Sequence, residues 1–503
     1  MIVRRNSTSQ KRVLWASVMA MCASVGLTGV SGVASAPVTA PWHLDRLNQI
    51  ALPLDGVTAQ GMFTGAGIDI YIVDTGVRAT HEQLAGRVVP GIDIPTQNGD
   101  APVNPPTSDC DGHGTHVAGL AAGSTVGVAP QARIISVRVL DCAGDGSISD
   151  VVDALRWVRG HHRSGVAAIA NLSLGVDLGD DGAEIDEQVL AMIKEGIVVT
   201  VAAGNGDQQG RPFDACRIAP GNESRAITVG ATSITDAMTS YTNYGPCVDL
   251  FAPGGDRTRP LESSWWESDT DYDIDVGTSM ASPLVAGYAA LLAQQQPGLC
   301  VDAIAEAIVS RATQGVITGL EATSPNRLLH VEVSPVAATV PGQPSHVITT
   351  TDNGALNVSW DSPCDGGSLI TSTRVSVLLN GKVVKKATVV GTGKTARITG
   401  LRNGLSYHVV VKAKNVLGEG IATSRIRSVK VMNLRRGTTV PVSSVGDIDT
   451  DLSLLWAVSS ASTSICSLNA SKTKLTFKRS GLCRVRLRAI EGQTPVRRNI
   501  RVS

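Results

Sequence analysis

At 503 residues the chain is longer than one hydrophobic core usually organises, so more than one domain is expected. Forty-four basic and 44 acidic side chains cancel, leaving no net positive charge to recruit nucleic acid, and nucleic acid is excluded as a partner. Only 3% of residues are aromatic while 52 are glycine, a composition suited to strands, loops and tight turns.

The cancellation hides an asymmetry. Residues 334–503 hold 24 Lys and Arg against 8 Asp and Glu, and residues 37–333 hold 16 against 36. An acidic body precedes a basic tail, read either as solvated faces that keep the protein soluble or as a tail drawn to an anionic cell-wall polymer or polysaccharide.

In chain order, residues 1–36 read as a secretory signal peptide. Arg4, Arg5, Lys11 and Arg12 precede the apolar run Val13–Val30, and Val33-Ala34-Ser35-Ala36 supplies a small-residue cleavage site. Cys22 leaves with it, and eight cysteines remain of nine, an even number without a Cys-x-x-Cys pair. In an exported chain that pattern predicts disulfides rather than metal ligands. No later stretch has the roughly 18 uninterrupted apolar residues of a membrane span. The expectation is a secreted, extracellular monomer without a membrane partner after cleavage.

Residues 37–333 read as α/β. Apolar strands at Ile68–Val73, Ile134–Val139, Ala167–Leu172 and Ile197–Val201 alternate with helical stretches at Gly114–Ala122, Ser149–His161 and Ile185–Glu195. This spacing predicts βαβ units and a parallel sheet with helices on both faces. Asp74 follows a strand, His113 opens a helix and Asn205 follows another strand, where open α/β sheets gather their sites. Downstream, Gly277-Thr278-Ser279-Met280-Ala281-Ser282-Pro283 precedes the apolar run Leu284–Leu292. Ser279 is thereby placed at a helix N-terminus, where free N–H groups and the dipole favour developing negative charge.

Taken singly, Asp74 and Asn205 read as turn formers, His113 and His116 as helix or core residues, and Ser279 as a cap. Together they supply the parts of nucleophilic catalysis. A serine hydroxyl needs an imidazole to take its proton, and the imidazole needs a carboxylate to fix its tautomer. Ile72-Val73-Asp74-Thr75-Gly76, Asp111-Gly112-His113-Gly114-Thr115-His116, Ala203-Gly204-Asn205 and the Ser279 stretch, in the order Asp, His, Ser, resemble the subtilisin-like serine peptidases.

That resemblance implies a triad of Asp74, His113 and Ser279 with Asn205 as oxyanion donor. In subtilisin itself, losing such a donor costs about 2.7–4 kcal/mol. It further implies two edge segments that pair with an extended peptide, one carrying Gly144, Asp145 and Gly146 and the other Ser173, Leu174 and Gly175. Ala203, Gly204 and Ala219-Pro220-Gly221 would line a first specificity pocket without an acidic residue, giving broad specificity with an apolar preference.

Within the family the likeness is to the proteinase K and aqualysin branch, carried by Pro41-Trp42-His43-Leu44-Asp45-Arg46, Asp109-Cys110-Asp111-Gly112-His113 and Ser324-Pro325-Asn326-Arg327. The branch implies disulfides Cys110–Cys142 and Cys216–Cys247 and no organic cofactor. It also implies structural calcium at Asp249 with the carbonyls of Ser224 and Ala226, and a second site at Asp45, Asn48, Gln49 and Asp55. Leu284 replaces a histidine common in relatives. Pro41-Trp42 follows the signal almost at once where relatives carry a pro-region, so the domain is expected to fold unaided.

After a linker at 334–344, Leu356-Asn357-Val358-Ser359-Trp360 alternates like a sandwich strand, and Leu401 to Val409 carries a tyrosine-corner pattern at Tyr407. Residues 345–433 resemble a fibronectin type III domain, and 434–503 a small Ig-like β module closed by Cys466 and Cys483. Cys300 and Cys364 then either pair or stay free. The function expected is a secreted serine endopeptidase acting on polypeptides; an inactive adhesive scaffold and an ester hydrolase are the competing readings.

Overall fold

The computed structural model describes residues 3–4, residues 40–423 except 59–60, 62, 98–107, 164–166, 178–181, 208 and 333, and strand segments between 427 and 502. The expected signal peptide lies outside the described residues apart from Val3 and Arg4. Packing divides the chain into two units, one of residues up to Pro297 with Val301–Val336, the other of Gly298–Cys300 with Ala337–Ser503.

In the first unit the helices are α1 (Trp42–Leu47), α2 (His113–Ala122), α3 (Ile148–His161), α4 (Ala183–Lys194), α5 (Thr278–Gln295) and α6 (Val301–Arg311). The central strands are β1 (Asp69–Asp74), β2 (Val88–Asp93), β3 (Arg133–Arg138), β4 (Ala168–Leu172), β5 (Ile197–Ala202), β6 (Ile227–Thr232) and β7 (Leu250–Pro253). A hairpin of β8 (Leu261–Ser264) and β9 (Tyr272–Asp275) stands apart, and β10 (Thr313–Gln314) and β11 (Arg327–Leu328) finish one edge.

The sheet runs β10-β11-β7-β6-β5-β4-β1-β3-β2 and is parallel except for the β10–β11 pair. Every residue of β1, β4, β5 and β6 is buried, which requires helices on both faces. Helix α5 packs against α2 and against β4 to β7, while α3 and α4 pack on each other. All of α5 from Thr278 to Ala293 is buried, as an apolar sequence on every face demands. Ser147 starts α3 with a capping box: its hydroxyl accepts the Asp150 N–H (3.1 Å) and the Asp150 carboxylate accepts the Ser147 N–H (3.3 Å).

Strand ends shift by one residue from expectation. Asp74 is the last residue of β1 rather than the first after it, while His113 opens α2 as expected. In the second unit, β12 (Ser345–Asp352), β13 (Ala355–Asp361) and β16 (Thr395–Thr399) form one antiparallel sheet. The other runs β15 (Lys382–Val390), β14 (Ser372–Leu379), β17 (Ser406–Lys414), β18 (Arg427–Lys430).

Leu356, Val358, Trp360, Val375, Val377, Val409 and Val411 fill the space between these two sheets. The Tyr407 hydroxyl accepts the Arg402 N–H at 2.9 Å, forming the expected corner. The described strands beyond residue 438 form two further three-stranded antiparallel sheets. Cys110–Cys142 and Cys216–Cys247 are bonded as the branch implies, and Cys300–Cys364 forms a third bridge. Cys466 is disulfide-bonded, while the Cys483 side chain lies outside the described residues.

Candidate active site

Asp74 sits fully buried at the end of β1, and its Oδ1 lies 2.7 Å from His113 Nδ1 at the start of α2. The same oxygen accepts the Thr75 N–H at 2.8 Å. The close approach needs Gly114, because a Cβ there would meet the Gly76 carbonyl at 2.2 Å and Asp74 Cβ at 3.1 Å. Burial pulls the His113 pKa down, but the Asp74 charge and hydrogen bond outweigh it and leave the imidazole above its ordinary 6.5. With Nδ1 engaged, Nε2 is the nitrogen left to take a proton.

Asp109 builds the approach to His113. Its Oδ1 accepts from Thr75 Oγ1, Asp111 N–H and Gly112 N–H, and its Oδ2 from the Thr115 N–H and hydroxyl. Asp111 accepts the His113 N–H at 3.1 Å, and burial raises its carboxyl to about 6. Cys110–Cys142 ties this approach to the loop before Gly144, and the fully buried Arg138 sits against both sulfurs while pairing with Asp93 at 2.8 Å.

Ser279 is the second residue of α5, and its hydroxyl donates to the Ser173 carbonyl at 3.2 Å. Among the described residues no hydrogen bond yet joins Ser279 to His113; such contacts commonly tighten only with substrate. Pro283 lies four residues on and has no N–H, so the Ser279 carbonyl lacks its usual helical donor. The Ser173 hydroxyl fills that place, donating to it at 2.8 Å. Behind Ser173 stands a buried polar chain: Asn171 Nδ2 donates to the Ser173 hydroxyl, and Asn171 Oδ1 accepts from Ser282 and Thr200.

Asn205 Oδ1 accepts both the Thr278 N–H and the Thr278 hydroxyl at 2.9 Å, which turns its Nδ2 away from them. A Cβ on Gly277 would lie 3.1 Å from that Nδ2. Asp74 thus lies at the carboxyl end of β1 and Asn205 just beyond that of β5, with His113 and Ser279 at the amino ends of α2 and α5.

At the first edge, Asp141 Oδ1 accepts the Ala143 and Asp145 N–H groups and shapes the turn through Gly144. Gly146 and Ser147 carry an extended segment, Val3–Arg4, in parallel register. At the second edge Leu174 is 2% exposed, and near the expected pocket Ala203 is fully buried, its N–H donating to the Val229 carbonyl and its carbonyl accepting from Asn243 Nδ2. Gly204 has φ +96 and leaves no room for a Cβ beside Asn243. His116 is a core residue: its Nε2 faces the Leu261 carbonyl and burial lowers its pKa.

Several of the oxygens implied for calcium are buried. Asp249 accepts the Thr228 N–H at 2.8 Å, which brings it against the segment holding Ser224 and Ala226, and burial raises its carboxyl to about 6. Near α1, Asp45 is raised by burial with Asp55 beside it, and Asn48 Oδ1 and Gln49 Oε1 are buried without a partner among the described residues. Unpaired buried oxygens of this kind suit a hard cation. Among the described residues no three His, Cys, Asp or Glu side chains converge as a metal centre, so amide and carbonyl oxygens would share the binding.

Comparison with known proteins agrees with this geometry. The subtilase family matches residues 65–329, and the fibronectin type III domain matches residues 341–438. The chain is 43% identical over 291 residues to an extracellular serine proteinase of Thermus sp. (strain Rt41A), covering 58% of this chain and 66% of that protein. It is 40% identical over 289 residues to alkaline serine exoprotease A of Vibrio alginolyticus, covering 58% of this chain and 50% of the relative. The matched region thus spans about half to two thirds of these two relatives' lengths. A crystal structure of a cold adapted subtilisin-like serine proteinase superposes with a TM-score of 0.53 at 38% identity, covering 59% of this chain and all of that one. The match covers most of the acidic body of this chain, and the chain belongs to the subtilase family.

Proposed function

We propose that the chain is a secreted serine endopeptidase of broad specificity with an apolar preference, in which Asp74, His113 and Ser279 form the triad. The observation that carries this is the buried 2.7 Å contact of Asp74 with His113 beside a serine held at the head of α5. His113 Nε2 takes the Ser279 proton as the hydroxyl attacks the peptide carbonyl, and later returns it to the leaving amine. Asp74 holds the tautomer and stabilises the imidazolium. Asn205 Nδ2 donates to the oxyanion, and Thr278 aims it by occupying the other end of the amide. The Gly144–Gly146 and Ser173–Gly175 edges pair with the backbone of an extended substrate.

Activity on denatured casein tests the reading. Ser279→Ala is expected to lower kcat about a millionfold, the figure known for subtilisin's own nucleophile, and a serine-directed inhibitor to label only the parent. Retained turnover in Ser279→Ala assigns the nucleophile elsewhere.

Calcium at Asp249 with the Ser224 and Ala226 carbonyls, and beside Asp45, Asn48, Gln49 and Asp55, would neutralise buried carboxylates and stabilise the fold. Chelation is then expected to lower the melting temperature, since a ligand bound only by the folded state stabilises it by mass action. A melting temperature indifferent to chelator removes the calcium assignment. The basic residues beyond 334 are read as drawing the protein to an anionic wall polymer or polysaccharide.

A further inference from the structure

Across the two sheets of residues 345–430 in the second unit, charge is unevenly divided. Strands β14, β15, β17 and β18 contain eight Lys and Arg and no Asp or Glu. The facing sheet of β12, β13 and β16 contains one basic residue, Arg397, and two acidic ones, Asp352 and Asp361. Arg397 is moreover paired with Asp352 at 2.8 Å. A device for solubility alone would charge both sheets.

Strand alternation fixes where these cations point. Val375, Val377, Val409 and Val411 face the core, so Arg374, Ser376, Lys412 and Lys414 face outward. Register aligns them: Arg374 stands opposite Lys412 on one side and Thr388 on the other, Ser372 opposite Lys414, and Ser376 opposite Lys386. Neighbouring strands are roughly 4.8 Å apart and alternate residues about 6.8 Å, so the charges form a close grid. Glu419 pairs with Arg374, leaving the lysines to dominate.

Edge protection explains only part of the pattern. Lys382, Lys385 and Lys386 lie on β15, an edge strand, where lysine discourages strand-to-strand aggregation. Arg374, Lys412 and Lys414 lie on the two inner strands, which need no such guard.

We propose that the outward face of the β15-β14-β17-β18 sheet docks a linear anionic polysaccharide, held by Lys386, Lys412 and Lys414. Ser372, Ser376 and Thr388 between the cations offer hydroxyls to sugar oxygens. Trp360 and Tyr407, by contrast, are turned into the core, so among the described residues neither offers this face an aromatic anchor of the kind that seats proteins in a bilayer interface. The proposal narrows the reading of the basic tail to one face, and it does not depend on the peptidase assignment.

The test is binding of the full-length protein to immobilised dextran sulfate, with neutral dextran and phosphatidylglycerol vesicles as comparisons. Binding to dextran sulfate alone, weakening with salt, is expected. Lys386→Glu with Lys412→Glu should weaken it about tenfold or more, because like charge is set against the polymer. Lys394→Glu with Arg402→Glu, the same charge change off this face, should leave it nearly intact.

Equal losses in both pairs would overturn the face in favour of net charge. Vesicle binding without dextran sulfate binding would overturn the polymer, and binding to neither would overturn both. Thermal melts identify a misfolded variant, in which case Lys386→Gln with Lys412→Gln takes its place. Short-peptide hydrolysis should be unchanged in every variant, so failure here and failure of the peptidase reading are separate results.

Discussion

In the proposed mechanism, proton transfer turns on His113. The imidazole must be neutral to accept the Ser279 proton, so kcat/KM is expected to fall as pH drops through the His113 pKa, which Asp74 holds above 6.5. Asp74→Asn removes the raising influence and leaves burial, which lowers the pKa. The acid limb of the pH–rate profile should therefore move to lower pH, while kcat falls by about four orders of magnitude, as in other triads. An unmoved acid limb in that variant would show that some other group titrates. The candidate residues Asp74, His113, Ser279 and Asn205 could be singled out from sequence because each lies in a short local motif. Asp109, Thr75, Thr115 and Ser282 could not, since their bonds reach partners on other elements, as Asp109 to Thr75 and Ser282 to Asn171 do. A hydroxyl in a sequence carries no mark of its tertiary partner.

Among the elements, α5 is the one whose start matters most. The apolar run Leu284–Leu292 announced a helix, yet it begins at Thr278, so Pro283 falls inside it. Sequence reasoning placed Ser279 at a helix N-terminus ahead of that run, and the helix does begin one residue before it. The structure uses the missing Pro283 N–H to free the Ser279 carbonyl for the Ser173 hydroxyl. Ser173→Ala leaves that buried carbonyl unsatisfied and should cost about 1–3 kcal/mol of stability. It should also lower kcat more than it changes KM, because the nucleophile's turn loses its lateral hold. A variant that melts and turns over like the parent would mean the carbonyl finds another donor.

Strands β1, β3, β4 and β5 were foreseen to within a residue or two, since each is a continuous apolar run. The hairpin β8–β9 was not. Its strands, Leu-Glu-Ser-Ser and Tyr-Asp-Ile-Asp, are polar, and Ser263 and Ser264 are buried by donating to the His116 and Thr115 carbonyls.

For the whole molecule, sequence located the fibronectin type III module from Trp360 and Tyr407 but left Cys300 and Cys364 undecided. Spacing alone cannot choose among the pairings open to eight cysteines. Their bridge closes a 64-residue separation, and the turn Gly298–Cys300 groups with the second unit although α5 and α6 on either side belong to the first. Asp365 and Gly366 N–H groups bond the Gly298 carbonyl, so the grouping rests on backbone bonds as well as on sulfur. Chain-entropy reasoning gives such a bridge about 4 kcal/mol.

This refines what removing the tail should do. No triad or edge residue lies beyond 333, so a chain ending at Val336 should keep the parent's kcat/KM on a short soluble peptide. Truncation, however, strips Cys300 of its partner and exposes a thiol, so Cys300→Ser must accompany it. In the full-length chain, Cys300→Ser with Cys364→Ser should lower the melting temperature without changing kcat/KM. Parallel loss of activity in the truncated and bridge-less chains would mean that the second unit holds the catalytic unit in its active form; activity retained by both confines catalysis to the first.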